Sequence, residues 1–168
     1  MVTKNAKSIA VTTFRCDGRG TRIEVSVISD LQRFVDAQEP IYDQVCSELR
    51  GGKKRSHWMW FIFPQLAGLG HSPMAQRYAI ANRSHAIAYL AQPTLGVRLR
   101  ECVLLVNGQA DLTAAQIFGY PDYLKLHSSL TLFHEVAPEE MLFTRALRQL
   151  YGGELEQATL KLLRDQPG

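Results

Sequence analysis

The sequence predicts a mainly α protein, a compact single-domain orthogonal helical fold of about six to eight helices with a short N-terminal strand. Three observations predict it. Apolar residues recur at helical spacing through most of the chain. Helix start and stop signals, such as Ser72-Pro73 and Gly152-Gly153, punctuate those stretches. With 168 residues, 46% of them apolar and 21% charged, the chain can bury one core of ordinary size.

Residues 1–28 differ from the rest and read as an N-terminal extension. Ile23, Val25 and Val27 alternate with polar neighbours, which fits a short strand. The helical domain is expected over 29–166. Ser29 with Gln32 resembles a capping box opening the first helix. Pro40 suits the first turn of a second, which carries Ile41, Tyr42, Val45, Cys46 and Leu49 on one face and stops at Gly51 and Gly52.

The run "WMWFIF" is apolar on every side, so periodicity does not separate a buried strand from a buried helix. Ser56 as a cap and the helical neighbourhood favour a short helix ended before Pro64. Ser72, Ser84 and Thr94 are read as caps of the next three helices, and Thr113 opens a short turn ended by Gly119. Tyr123, Leu126, Leu130 and Phe133 then form a stripe on a long helix. Pro138, Glu139 and Glu140 announce another, buried through Phe143, Ala146, Leu147 and Leu150. A last helix follows in "EQATLKLL".

The formal net charge of +3 is too small to argue for nucleic acid by itself. The cations are not evenly spread, however. Arg50, Lys53, Lys54 and Arg55 cluster just before the aromatic run. The 3 cysteines, Cys16, Cys46 and Cys102, lack CxxC spacing, which suits reduced thiols and a cytoplasmic location. No apolar run reaches the ~18 residues that would suggest a membrane span. The histidines lack metal-ligand spacing, so no metal site is expected. "GGKKRS" lacks phosphate-loop spacing, and no cofactor is expected.

The candidate site centres on "KKRSHWMWFIFPQ". An aromatic face can stack a base or sugar while cations hold phosphate. Lys53, Lys54, Ser56, His57, Trp58, Trp60 and Gln65 are therefore candidate ligand-binding residues. The bland alternative is a hydrophobic centrepiece behind a solvated basic loop. Asp122, Lys125 and Ser129 lie within about 60° on a helical wheel and border the apolar stripe. Asp122 and Lys125 are candidate acid/base residues, and Ser129 a candidate ligand contact; a surface ion pair and a helix cap are the alternative. Glu48, just before the basic loop, is the other candidate catalytic carboxylate.

The blocks SHWMWFIFPQ and DYLKLHSSLTLF, with "LQRFVDAQ" and "AYLAQPTLGVRLREC", resemble the bacterial domain-of-unknown-function family 1810, often labelled "calpastatin". The resemblance spans residues 30–163. It implies a compact, mainly α single domain and carries no activity. The calpastatin label conflicts with the composition, because the eukaryotic inhibitor is largely disordered and this chain has periodic apolar stripes and 2 tryptophans. A looser resemblance is to small helical proteins related to riboflavin-pathway and ADP-ribose N-glycosidases. It implies pairing Glu48 with Lys53 or Lys54, and Asp122 with Trp58. The expected function is binding or N-glycosidic cleavage of a phosphorylated nucleoside-like or ADP-ribose-like small molecule. The rival is a non-catalytic protein- or nucleic-acid-binding module using residues 50–55.

Overall fold

Helix propagation decides the start of the domain. In the computed structural model, which describes the backbone of residues 23–166 and the side chains of 30–166, helix α1 runs Ile23–Gln38. The strand expected around Ile23, Val25 and Val27 is therefore helix, and Ser29 lies inside α1 rather than at its cap. A short alternation loses to extension of a helix already anchored by Leu31 and Phe34, because each added residue gains a hydrogen bond without a new nucleus. Residues 1–22 of the expected extension lie outside the described residues.

The remaining helices are α2 (Tyr42–Arg50), α3 (Met59–Ile62), α4 (Pro73–Arg77), α5 (Arg83–Ala91), α6 (Pro93–Asn107), α7 (Ala114–Phe118), α8 (Asp122–Val136), α9 (Met141–Tyr151) and α10 (Gln157–Asp165). Among the described residues the ten helices exceed the expected count because α3, α4 and α7 are single turns of 4, 5 and 5 residues. Among the described residues there is no named strand, only one isolated parallel bridge between Leu66 and Ile80. The fold is mainly α. No described helix is long and apolar enough to cross a membrane.

Local chemistry explains most ends. Ser72 accepts from Ala75 N with Pro73 in the first turn, and Thr113 with Gln116 makes a complete capping box. Gly152 closes α9 in the left-handed region at φ 65°. Three further caps differ from expectation. Trp58, not Ser56, stands at the cap of α3, without a side-chain cap bond. Asn82 caps α5 in place of Ser84, and Gln92 caps α6 in place of Thr94. Asparagine caps as well as serine, and Pro93 is best placed in the first turn, so α5 and α6 each start earlier. Pro40 sits in the turn before α2, and Pro138 in the turn before α9.

Helices α6 and α8 form the middle of the core. Leu95, Leu99, Cys102, Val103 and Val106 of α6 are buried, as are Leu126, Leu130, Leu132 and Phe133 of α8. Aromatic rings bridge the layers: Phe34 lies 5.2 Å from Tyr89, which lies 5.5 Å from Phe133. Helix α3 is buried within this frame. Its Phe61 carbonyl accepts from Gln38 Nε2 at 2.7 Å and from Tyr89 Oη at 3.3 Å. The end of a buried helix thus finds side-chain donors in place of water.

Close approach matters at Gly96. A Cβ there would stand 2.1 Å from the Leu90 carbonyl oxygen and 2.7 Å from the Arg100 guanidinium. The turn joining α5 to α6 is tight enough to require glycine. Gly96→Ala is expected to lower stability by about 2 kcal/mol or more, read by urea unfolding, because backbone has to move.

Candidate functional site

Two carboxylates organise the basic segment between α2 and α3. Glu48, from the last turn of α2, accepts from Arg55 N at 2.8 Å, Ser56 N at 3.2 Å and Trp58 Nε1 at 2.8 Å through one oxygen. Its other oxygen accepts from Ser56 Oγ at 2.6 Å and Gln44 Nε2 at 3.1 Å. Burial alone would raise its pKa, but the Ser56, Arg55 and Trp58 donors outweigh that and hold it at about 2. Such a carboxylate fixes a loop; it carries no proton to give at neutral pH.

Asp122 opens α8 and accepts from two ammonium groups. Lys54 Nζ lies 2.7 Å from Oδ2, and Lys125 Nζ 2.8 Å from Oδ1. Burial pushes the Asp122 pKa up, but Lys125 and Lys54 bring it below the ordinary value. The Lys54 side chain is only 8% exposed and also donates to the Ser56 carbonyl at 2.7 Å. Each lysine covers a tryptophan: Lys54 Nζ stands 5.1 Å from the Trp58 ring centre, and Lys125 Nζ 5.0 Å from that of Trp60.

The two tryptophans part company here. Trp58 is fully buried and packs 6.2 Å from Phe118 and 6.3 Å from Phe63. Trp60 is half-buried and borders two adjoining clefts, of about 160 and 400 Å³. Both clefts also touch Gln65, Gly70, Ala75 and Lys125. The smaller is walled by Phe63, Leu66 and Tyr78; the larger opens past His71, Ser128 and Glu156. Hydrogen bonds from Ala67 N to Ile80 O and from Ile80 N to Gln65 O, both 2.8 Å, hold the loop that forms the far wall.

The expected residues thus divide. Trp60, Gln65 and Lys125 meet at the clefts, and Asp122 and Lys54 stand behind Lys125. Half-buried Glu48 and Ser56 and fully buried Trp58 form the hydrogen-bonded support. Glu48 pairs with neither Lys53 nor Lys54 among the described ion pairs, and Asp122 meets the two lysines. Lys53 and His57 are exposed and do not border the clefts; Lys53 Nζ donates to the Gln116 carbonyl at 3.0 Å. Ser129 is fully buried, and its hydroxyl has no hydrogen-bond partner among the described residues. Its neighbour Ser128 is the serine that borders the larger cleft.

The basic cluster is split as well. Arg50 turns toward Glu101 at 3.5 Å and Lys54 is buried, so the four cations do not share one face. Glu156 was not singled out in the sequence, where its only signal is that of a helix cap. It accepts from Ala158 N, Thr159 N and Thr159 Oγ1 at the head of α10. Among the described residues no group of three or more His, Cys, Asp or Glu side chains could hold a metal ion.

The family described as "Protein of unknown function (DUF1810)" matches residues 28–163. The chain belongs to this family. Its match takes in every residue from Glu48 to Glu156 discussed above. The chain is also similar to the crystal structure of the conserved hypothetical protein Rv1873 from Mycobacterium tuberculosis. The two are 50% identical with a TM-score of 0.80, over 82% of this chain and 98% of that one. No curated protein matches.

Glu48 provides a test of the support. A carboxylate with a depressed pKa stabilises the fold above its unfolded value of 4.5, and that contribution is lost as pH falls through about 2. Glu48→Gln is therefore expected to lose about 1 kcal/mol at pH 7, chiefly by weakening the charge-assisted bonds from the Trp58 indole and the half-buried Ser56. In paired urea titrations the gap from wild type narrows steadily as the pH is lowered from 4.5 toward 2.

Proposed function

We propose that this DUF1810 protein binds a phosphorylated nucleoside-like small molecule in the clefts beside Trp60. The observation that carries the reading is Lys125. Its side chain borders both clefts and is 23% exposed, and its ammonium lies 5.0 Å over the Trp60 ring. A positioned cation beside an aromatic wall suits a ligand that pairs a ring with an anionic group. Asp122 neutralises part of the Lys54 and Lys125 charge and fixes the Lys125 amine in place.

The reading is binding rather than N-glycosidic cleavage. Glu48 and Asp122 are both held ionised with donors on both oxygens, so neither offers the proton that a departing base would need. The nucleic-acid alternative is less favoured, because a phosphate track needs cations on one face and the 50–55 cluster is divided.

A thermal-shift titration with uridine, cytidine and adenosine monophosphates, ADP-ribose and ribose 5-phosphate tests this. At least one is expected to raise the melting temperature saturably, by about 2.7 kcal/mol of stabilisation at a hundredfold excess over Kd. Lys125→Met is expected to weaken that ligand about tenfold or more. No shift with any of the five, or equal binding by Lys125→Met, would overturn the reading.

A further inference from the structure

The two clefts differ in size and lining, and the difference limits what enters each. The smaller, of about 160 Å³, is the more enclosed. Phe63 and Leu66 in its wall are 1% exposed and Tyr78 is 7% exposed, so this side of the wall is part of the core, while Gly68 and Gln76 in the same lining are exposed. An apolar cavity of about 150 Å³ is enough to hold one benzene. The larger cleft, of about 400 Å³, is more open and edged by hydroxyl, imidazole and carboxylate groups from Ser128, His71 and Glu156.

Gln65 stands where the two meet. Its side-chain amide makes no hydrogen bond among the described residues, although its backbone carbonyl is held by Ile80 N at 2.8 Å. A primary amide presents one donor and one acceptor side by side. That pair matches the edge of a uracil, a cytosine or a pyridine carboxamide. Glu156 argues for the same orientation. Its carboxylate sits in the outer cleft, ionised but with four donors already on it, so the phosphate belongs near Lys125 rather than at the outer rim.

Resting on the reading that the clefts bind a phosphorylated nucleoside-like molecule, we infer that the inner cleft selects a single six-membered ring of the pyrimidine or pyridine-carboxamide class. The ring lies against Trp60 and Tyr78, and its polar edge pairs with Gln65. The sugar spans the junction, and the phosphate meets Lys125 on the inner side of the outer cleft. Purine nucleotides fit less well, because the fused second ring needs room that the buried walls of Phe63 and Leu66 deny.

Calorimetric titration with uridine, cytidine and nicotinamide mononucleotides against adenosine and guanosine monophosphates tests the inference, with ribose 5-phosphate as the ringless probe. At least one single-ring nucleotide is expected to bind about tenfold tighter than either purine nucleotide. Ala79→Leu, which fills the inner cleft alone, and Gln65→Ala, which removes the amide, are each expected to reduce the single-ring affinity about tenfold while ribose 5-phosphate changes less than about twofold. The two substitutions act by different means, so a folding defect in one leaves the other to decide. Purines binding as tightly as single-ring nucleotides, or neither substitution discriminating ring from ringless probe, would overturn this inference and leave the Lys125 site standing. No binding by any probe would overturn both.

Discussion

One carboxylate, Asp122, holds two ammonium groups that come from distant parts of the chain. Lys54 belongs to the basic segment ahead of the aromatic run, and Lys125 lies one turn further along α8. A lysine as buried as Lys54 is tolerated only with such partners, since an unpaired buried amine costs several kcal/mol. The pairing ties the segment to α8 and sets each lysine over its own tryptophan. Glu48 holds the same segment from α2, through Arg55, Ser56 and Trp58. Two ionised side chains from opposite sides thus give the aromatic run its course.

That course explains why one run serves as both core and cleft wall. Positions two apart on a helical path point about 200° from one another. Trp58 at the cap of α3 turns inward against Phe63 and Phe118, and Trp60 turns toward the clefts. The basic residues divide in the same way. Lys54 is structural, whereas Lys53 and His57 remain exposed and outside the clefts.

Much of the fold was legible because its signals are local. The stripe of Leu126, Leu130 and Phe133 is buried, and so are Phe143, Ala146 and Leu147. Ser72, Thr113 and Gly152 end or begin helices through their own side-chain or backbone chemistry. The strand at Ile23 to Val27 misled because alternation over so few residues competes poorly with a neighbouring helix. Ser84 and Thr94 misled because a stronger start stood two residues earlier in each case. The candidate site was legible in the residue types that meet at it and not in their pairing. Nothing local says that Glu48 will bind the indole of Trp58 or that Asp122 will meet Lys54 across 68 positions. Glu156 stayed hidden because a glutamate ahead of "QATLKLL" reads as a cap, which it also is.

The central claim is that the ligand meets Trp60 while Trp58 remains part of the support. The chain has 2 tryptophans, so one substitution isolates each. Fluorescence of Trp58→Phe and Trp60→Phe, titrated with uridine monophosphate, compares them directly. The account predicts a saturable change in Trp58→Phe, where Trp60 alone reports, and an unchanged signal in Trp60→Phe. A response carried by Trp58, or none from Trp60 in a folded variant at ligand concentrations that shift the melting temperature, would contradict it.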